Sequence, residues 1–225
     1  MGKVNWRPGN MIYPLPAVMV SLGESEEEHN IITIAWTGTI CSDPPMCYIS
    51  VRPNRHSYEI LKRTGEYVIN ITTEELAKAT DWCGVRSGRK YNKFSEMKLT
   101  PGKAEKVKAP IIEEAPLHLE CRVKEIVPLG THDMFISEIV NVQADERYLD
   151  EETGTFHLDQ ANPICYSHGQ YHAVGKKLGK FGFSVEKKKK KTKKRGCAIS
   201  KLTKKAAPKK SAPKSRKRPP QKGKS

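Results

Sequence analysis

Apolar and polar positions alternate with a period of two through much of the chain. Leu117, Leu119, Cys121 and Val123 alternate with His118, Glu120, Arg122 and Lys124, the pattern of a strand with one face in a core and the other in water. Cys47, Ile49 and Val51 alternate with Tyr48 and Ser50, and Tyr67, Ile69 and Ile71 with Glu66, Val68 and Asn70. Ala17–Leu22 and Ile31–Thr37 are apolar on both faces and flank an acidic, turn-like segment, which predicts a hairpin of buried strands. Met134–Val142 is also apolar on both faces and follows the turn signal Pro128–Gly130. About six strands at short spacing predict a mainly β fold, a closed antiparallel barrel.

Two helices interrupt the strands. Thr72 with Glu75 three residues later has the form of a capping box. Behind it Leu76, Ala79, Thr80 and Cys83 share one helical face, and Gly84 marks the end. A shorter helix is expected over Arg55–Lys62, with Asn54 as its cap, Tyr58 and Leu61 on one face and Gly65 closing it.

Charge divides the chain into two parts. Residues 185–225 hold 19 Lys and Arg against the single acid Glu186, whereas residues 1–184 are mildly acidic at a net −3. The expectation is one domain over 1–184 followed by a disordered Lys/Pro/Ala-rich tail over 185–225, too poor in apolar residues to offset the entropy of ordering itself. No stretch approaches the roughly 20 uninterrupted apolar residues of a membrane-spanning helix. Met11–Leu22 is broken by Pro14 and Pro16 and lacks the cleavage site of a signal peptide. The six cysteines are scattered, with no C-x-x-C and no paired Cys/His spacing, which reads as reduced thiols in a cytoplasmic protein.

Standard catalytic motifs are missing. The chain has no G-x-G-x-x-G, P-loop, H-E-x-x-H or G-x-S-x-G. His168 and His172 stand at helical i,i+4 spacing, but two histidines alone do not make a metal site, and none is assigned; nor is any catalytic acid, base or nucleophile. Three blocks are instead dense in polar, anion-friendly residues: Asn30–Gly38, Ile49–Tyr58 and Cys83–Phe94. In the second, a strand ends at Arg52 and a helix starts beside Arg55 and Ser57, so free N–H groups and a guanidinium can meet an anion. The third adds Ser87, Gly88, Arg89 and Lys93 directly after a helix. The first offers Thr33, Trp36 and Thr37 on one strand, able to line the edge of a flat ligand. Taken singly, each block also reads as surface charge, core aromatic or solvated turn.

These blocks carry a family resemblance. N-I-I-T-I-A-W-T-G-T-I-C-S-D-P-P, then I-S-V-R-P-N-R-H-S-Y, G-E-Y-V-I-N and A-T-D-W-C-G-V-R-S-G-R resemble the flavin reductase-like proteins with an FMN-binding split barrel, among them flavoredoxins and flavin and ferric reductases. The resemblance covers roughly residues 5–183. It implies a homodimer of split barrels, each subunit holding FMN non-covalently near the dimer interface. Thr33, Ala35, Trp36 and Thr37 would border the isoalloxazine ring, and Ser50, Val51 and Arg52 would run along the ring and the ribityl chain. Arg55, Ser57, Ser87, Gly88 and Lys93 would hold the phosphate, where the residues alone had already placed an anion. The segment from Tyr166 to Phe183 would cover the flavin.

The resemblance further implies an oxidoreductase that moves electrons from NAD(P)H or a protein donor through FMN to flavin, ferric iron or a protein acceptor. A flavoredoxin-type carrier without nicotinamide turnover is the nearest alternative, and a nucleic-acid-binding protein with the barrel as scaffold a more distant one. Family members usually end near Phe183, so the tail is a departure. Residues 185–225 contain no aromatic side chain, which excludes base stacking. The tail reads as a polycation for non-specific attachment to nucleic acid or ribosomes; an anionic membrane surface, nuclear targeting or a solubility extension without a partner are the other readings.

Overall fold

The computed structural model describes residues 1–186. The strands and helices in chain order are β1 (Leu15–Pro16), β2 (Val18–Leu22), β3 (Asn30–Ile34), β4 (Thr37–Ser42), β5 (Pro45–Val51), α1 (His56–Thr64), β6 (Glu66–Ile71), α2 (Ala77–Val85), α3 (Lys93–Met97), β7 (Pro101–Gly102), β8 (Ile111–Ile112), β9 (Leu117–Pro128), β10 (Asp133–Ala144), β11 (Ile164–Ser167) and β12 (Gln170–Ala173). Met1–Lys177 form one compact unit. The described residues beyond it, 178–186, hold a single turn of 3-10 helix at Phe183–Val185 and an ion pair between Lys180 and Glu186. The basic run expected to be disordered, from Lys187 on, lies outside the described residues.

Seven antiparallel strands form the main sheet in the order β3-β2-β6-β9-β10-β5-β4. Its two edge strands, β3 and β4, are joined by Ala35 and Trp36 alone. A flat sheet of seven strands would hold its edges far apart, because neighbouring strands lie about 4.8 Å from one another. A two-residue link therefore requires the sheet to curl until the edges meet. The stretch Ile31–Thr37, expected as one strand, is accordingly two strands that pair at opposite edges. The break falls at Ala35–Trp36, where the Thr37 N–H turns back onto the Ala35 carbonyl and Trp36 O accepts from Ser50 N at 2.9 Å.

Curling gives each strand an inside and an outside. Val18, Val20, Leu22, Ile32, Ile34, Cys47, Ile49, Val51, Tyr67, Ile69, Cys121 and Phe135 fill the interior, and Tyr58 and Leu61 of α1 close one end. On the outside, Met19 and Ile31 pack under Leu76, under Ala79 and Cys83 of α2 and under Phe94 of α3. Strands β2 and β3 are apolar on both faces for that reason. The alternation of β5, β6 and β9 is also realised, with Cys47, Ile49, Val51, Tyr67, Ile69 and Cys121 inside.

His118 and Glu120, read as the wet face of β9, are buried. The segment before β8 folds over Glu120. Glu120, at 0% exposure, accepts hydrogen bonds from the backbone of Glu105, Lys106 and Val107 and from Asn141 and Gln143 at 2.6–3.2 Å. Burial alone would raise its carboxyl, but these donors outweigh it and hold the group down at about 2. His118 is lowered by burial to about 4, and its Nδ1 lies 2.8 Å from Asn70 Oδ1.

The helix caps differ from expectation. Arg55 with extended backbone, rather than Asn54, precedes α1. Gly65 does close it, at φ 64, in the left-handed conformation that glycine adopts without strain. The Thr72/Glu75 capping box does not form: Thr72 donates to the Ala17 carbonyl, tying β6 to β2, and α2 begins later, after Leu76. His168 and His172 lie in the β11–β12 hairpin and not on a helix, so their spacing does not put them on one face.

Candidate functional site

Where β5 ends at Val51, the chain turns through Arg52–Asn54 into α1. The first N–H groups of α1 have no acceptor within the helix, and they open into a cavity of about 300 Å³. Arg52, Arg55, His56 and Ser57 line it from this side; Arg86, Ser87, Gly88 and Lys93 line it from the loop between α2 and α3. Four permanent or near-permanent cations face the space and no carboxylate does. Among the described residues none of these four makes an ion pair, although Arg63, Lys108, Arg122 and Lys124 on the surface all do. Concentrated, unneutralised positive charge at a helix start is a site for an anion.

Lys93 defines the bottom of this cavity. Its side chain is 3% exposed, and Nζ donates to the carbonyls of Ile31 and Cys83, each at 2.6 Å. Burial, and after it the charge of Arg55, bring its pKa down to about 8. A neutral amine has two N–H groups, enough for the two carbonyls, whereas the ammonium has a third. The charged form thus lacks a protein acceptor for one proton, which leaves that proton free for an oxygen of a bound anion. Ser57 is also buried, accepting from Asn30 Nδ2 at 2.8 Å.

Gly88 permits this close approach. A Cβ built there would lie 2.3 Å from Asn30 Oδ1 and 2.8 Å from His56 Cδ2, so any larger residue would force these side chains or the loop to shift. Arg86, just after α2, and His56 are lining residues that the sequence does not single out; His56 is the first residue of α1. Burial, with Arg89 and Lys93, lowers its pKa. Its position between an anion-seeking arginine and a helix start was the signal available.

A second cavity, of about 880 Å³, adjoins the first and shares Ile32, Arg52, Arg55 and Gly84 with it. Thr33, Ala35, Trp36, Ser50 and Val51 form its barrel-side wall. Their grouping follows from the strand switch: Ala35 and Trp36 cross from β3 to β4 beside Ser50. Thr37 lines neither cavity; it is buried in the sheet, and its hydroxyl donates to Tyr48 O at 2.6 Å. The opposite wall comes from Leu129, Thr131 and His132 of the β9–β10 turn, Asp81 and Val85 of α2, and Tyr166, Gly169 and Tyr171 of the β11–β12 hairpin. Trp36 and His132 lie parallel, 3° apart with centroids at 6.2 Å. Arg52 Nε lies 3.4 Å from His132 Nε2. Burial, then Arg52 and Arg55, lower the imidazole's pKa. Tyr171 is pushed up to about 12 by burial and by the neighbouring Asp81. Alternation does not announce this wall, because it is assembled from a turn and a hairpin far along the chain.

A curled barrel with an anion cavity at one end and a wide, partly aromatic cleft beside it has the architecture of a cofactor-binding split barrel. The chain belongs to the family described as flavin reductase like domain, whose model matches residues 11–175. Flavoredoxin of Desulfovibrio vulgaris (Miyazaki F) superposes with a TM-score of 0.76 at 28% identity, over 82% of this chain and all of that one. A protein of Archaeoglobus fulgidus is 32% identical over 139 residues, which is 62% of this chain and 77% of that one. The NADH-dependent FMN reductase AsuE2 of Streptomyces nodosus subsp. asukaensis is 23% identical over 76% of this chain and 84% of its own.

Proposed function

We propose that the protein is an FMN-dependent oxidoreductase that takes electrons from NAD(P)H or a protein donor and passes them to flavin, ferric iron or a protein acceptor. The observation that carries this reading is the acid-free cavity in which Arg55, Lys93 and the start of α1 converge, joined to a cleft wide enough for a planar ring system. The residues fit the group. The first amides of α1, Arg55, Ser57, Ser87, the Gly88 backbone and the third N–H of Lys93 hold the phosphomonoester. Arg52, at the junction of the two cavities, stands beside the ribityl chain and ring edge. Thr33, Ala35, Trp36, Ser50 and Val51 support the ring, while Leu129, His132, Tyr166 and Tyr171 restrict water on the far side. FMN, when bound, supplies the electron chemistry itself. The chain's part is to orient it, to anchor its phosphate and to shape the space where a donor meets it.

Reductase and carrier are separated by turnover. The kinship with an NADH-dependent FMN reductase supports the first, and the likeness to a flavoredoxin supports the second. Steady oxidation of NADH or NADPH with added free flavin establishes a reductase; reduction only by a protein donor establishes a carrier. The N-terminal arm exposes Val4, Trp6, Met11 and Ile12, which favours pairing of two copies into a homodimer, readable by light scattering. Cys41, Cys47, Cys83, Cys121 and Cys165 are free thiols, in keeping with a reducing cytoplasm. Among the described residues no helix is long and apolar enough to cross a membrane. The 19 basic residues of 185–225 support non-specific attachment to nucleic acid by counterion release.

A further inference from the structure

Charge at the anion cavity exceeds what one phosphomonoester neutralises. Such a group carries about −1.5 to −2 at neutral pH, which Arg55 and buried Lys93 match. Arg52 and Arg86 remain. Arg52 is engaged by His132 at 3.4 Å. Arg86 is different: it follows α2 directly, is exposed at the cavity mouth, and has no carboxylate partner. Its guanidinium lies 5.8 Å from the centroid of the Tyr91 ring, and Tyr91 packs edge-on against Trp82 at 5.5 Å. An aromatic shelf of this kind holds a guanidinium in place and leaves its N–H fork free to bind a planar or bidentate oxyanion. Val85, the preceding residue, lines the larger cavity while Arg86 lines the smaller one. A ligand whose ring entered the cleft and whose charged part lay outside would pass this point.

We infer that Arg86 forms an outer anion subsite for the pyrophosphate of a dinucleotide electron donor, separate from the inner subsite for the cofactor's phosphate. The inference rests on the FMN reading of the cleft and names one residue by which a nicotinamide dinucleotide is retained. Pyrophosphate carries about two negative charges and offers paired oxygens, a match for a fork-shaped donor.

The experiment uses the full chain loaded with FMN, as wild type and as Arg86→Ala. ADP-ribose, which has the pyrophosphate and no nicotinamide, is titrated calorimetrically into each. The variant should keep its full FMN content and bind ADP-ribose about tenfold more weakly, the effect of one charge-assisted contact. KM for NADH or NADPH should rise by a similar factor with kcat unchanged, whereas turnover with dihydronicotinamide riboside, which lacks phosphate, should not change. Loss of FMN from the variant would assign Arg86 to the cofactor phosphate and overturn the subsite. Equal ADP-ribose affinity in both proteins would overturn it as well, even with FMN retained and the riboside oxidised. A wild type that holds FMN yet oxidises neither donor would instead defeat the reductase reading, and the donor subsite with it.

Discussion

Replacing Lys93 with methionine keeps an unbranched side chain one atom shorter and removes its charge. In the native protein Nζ satisfies the Ile31 and Cys83 carbonyls and has one further proton for a ligand. Loss of that charge-assisted bond costs about 1.5–3 kcal/mol, so the FMN dissociation constant should rise by about 10- to 150-fold near pH 7. The dependence on pH is the sharper signature. In the FMN-free protein Lys93 releases its proton around pH 8, whereas a bound phosphate holds that proton. Wild-type affinity should therefore fall by up to about tenfold per pH unit above pH 8, and the variant should lack this decline. Stability of the FMN-free protein moves the other way. The folded pKa of about 8 lies below the ordinary 10.5, so between these values the unfolded chain binds more protons, and stability rises with pH across that window in the wild type alone. Fluorescence titration of FMN at several pH values, beside denaturant melts, reads both. Equal affinity in the two proteins near pH 7, or a wild-type affinity that does not change between about pH 7 and 9.5, would refute the role given to Lys93.

Three other outcomes are expected. Gly88→Ala should abolish FMN retention while leaving the far-UV circular dichroism intact, since its Cβ would lie 2.3 Å from Asn30 Oδ1; retained FMN would show that the loop is free to shift. Glu120→Gln places an amide against backbone donors and should lower stability by about 3 kcal/mol, measured by urea melts. Because the Glu120 carboxyl is held at about 2 against an ordinary 4.5, its stabilisation is present above about pH 4.5 and is lost as pH falls toward 2; the variant should show a shallower acid limb. Deleting residues 185–225 should leave FMN content unchanged and abolish binding to duplex DNA. In the full chain that binding should weaken with salt at a log–log slope of roughly −7 if about eight phosphates are engaged; loss of FMN on deletion would mean that the tail supports the fold.

Much of the barrel was legible because burial writes itself into period-two alternation. Cys47, Ile49, Val51, Tyr67 and Ile69 stand inside as read. The alternation misled where another segment covered a face: Glu120 looks like a solvated position until residues 103–108 fold over it and supply hydrogen bonds, and His118 until it meets Asn70. It also carried no sign of the break at Ala35–Trp36, since the two residues that bend from one sheet edge to the other are as apolar as the strands they join. The inner half of the site was readable from local chemistry, because Arg52, Arg55, Ser57, Ser87, Gly88 and Lys93 sit next to element ends and line one cavity. Thr37 was grouped with its neighbours by adjacency, yet its hydroxyl belongs to the sheet. The far wall, with His132, Tyr166 and Tyr171, is produced by tertiary folding of distant segments, and no short-range pattern encodes it.

Binding of FMN to protein stripped of cofactor, followed by quenching of flavin fluorescence, tests the central claim most directly. Wild type should take up one FMN per chain, and the Arg55→Ala, Lys93→Ala double variant, folded by circular dichroism, should take up far less at the same concentration. A wild type that leaves flavin fluorescence unchanged, or a double variant that matches it, would contradict the account.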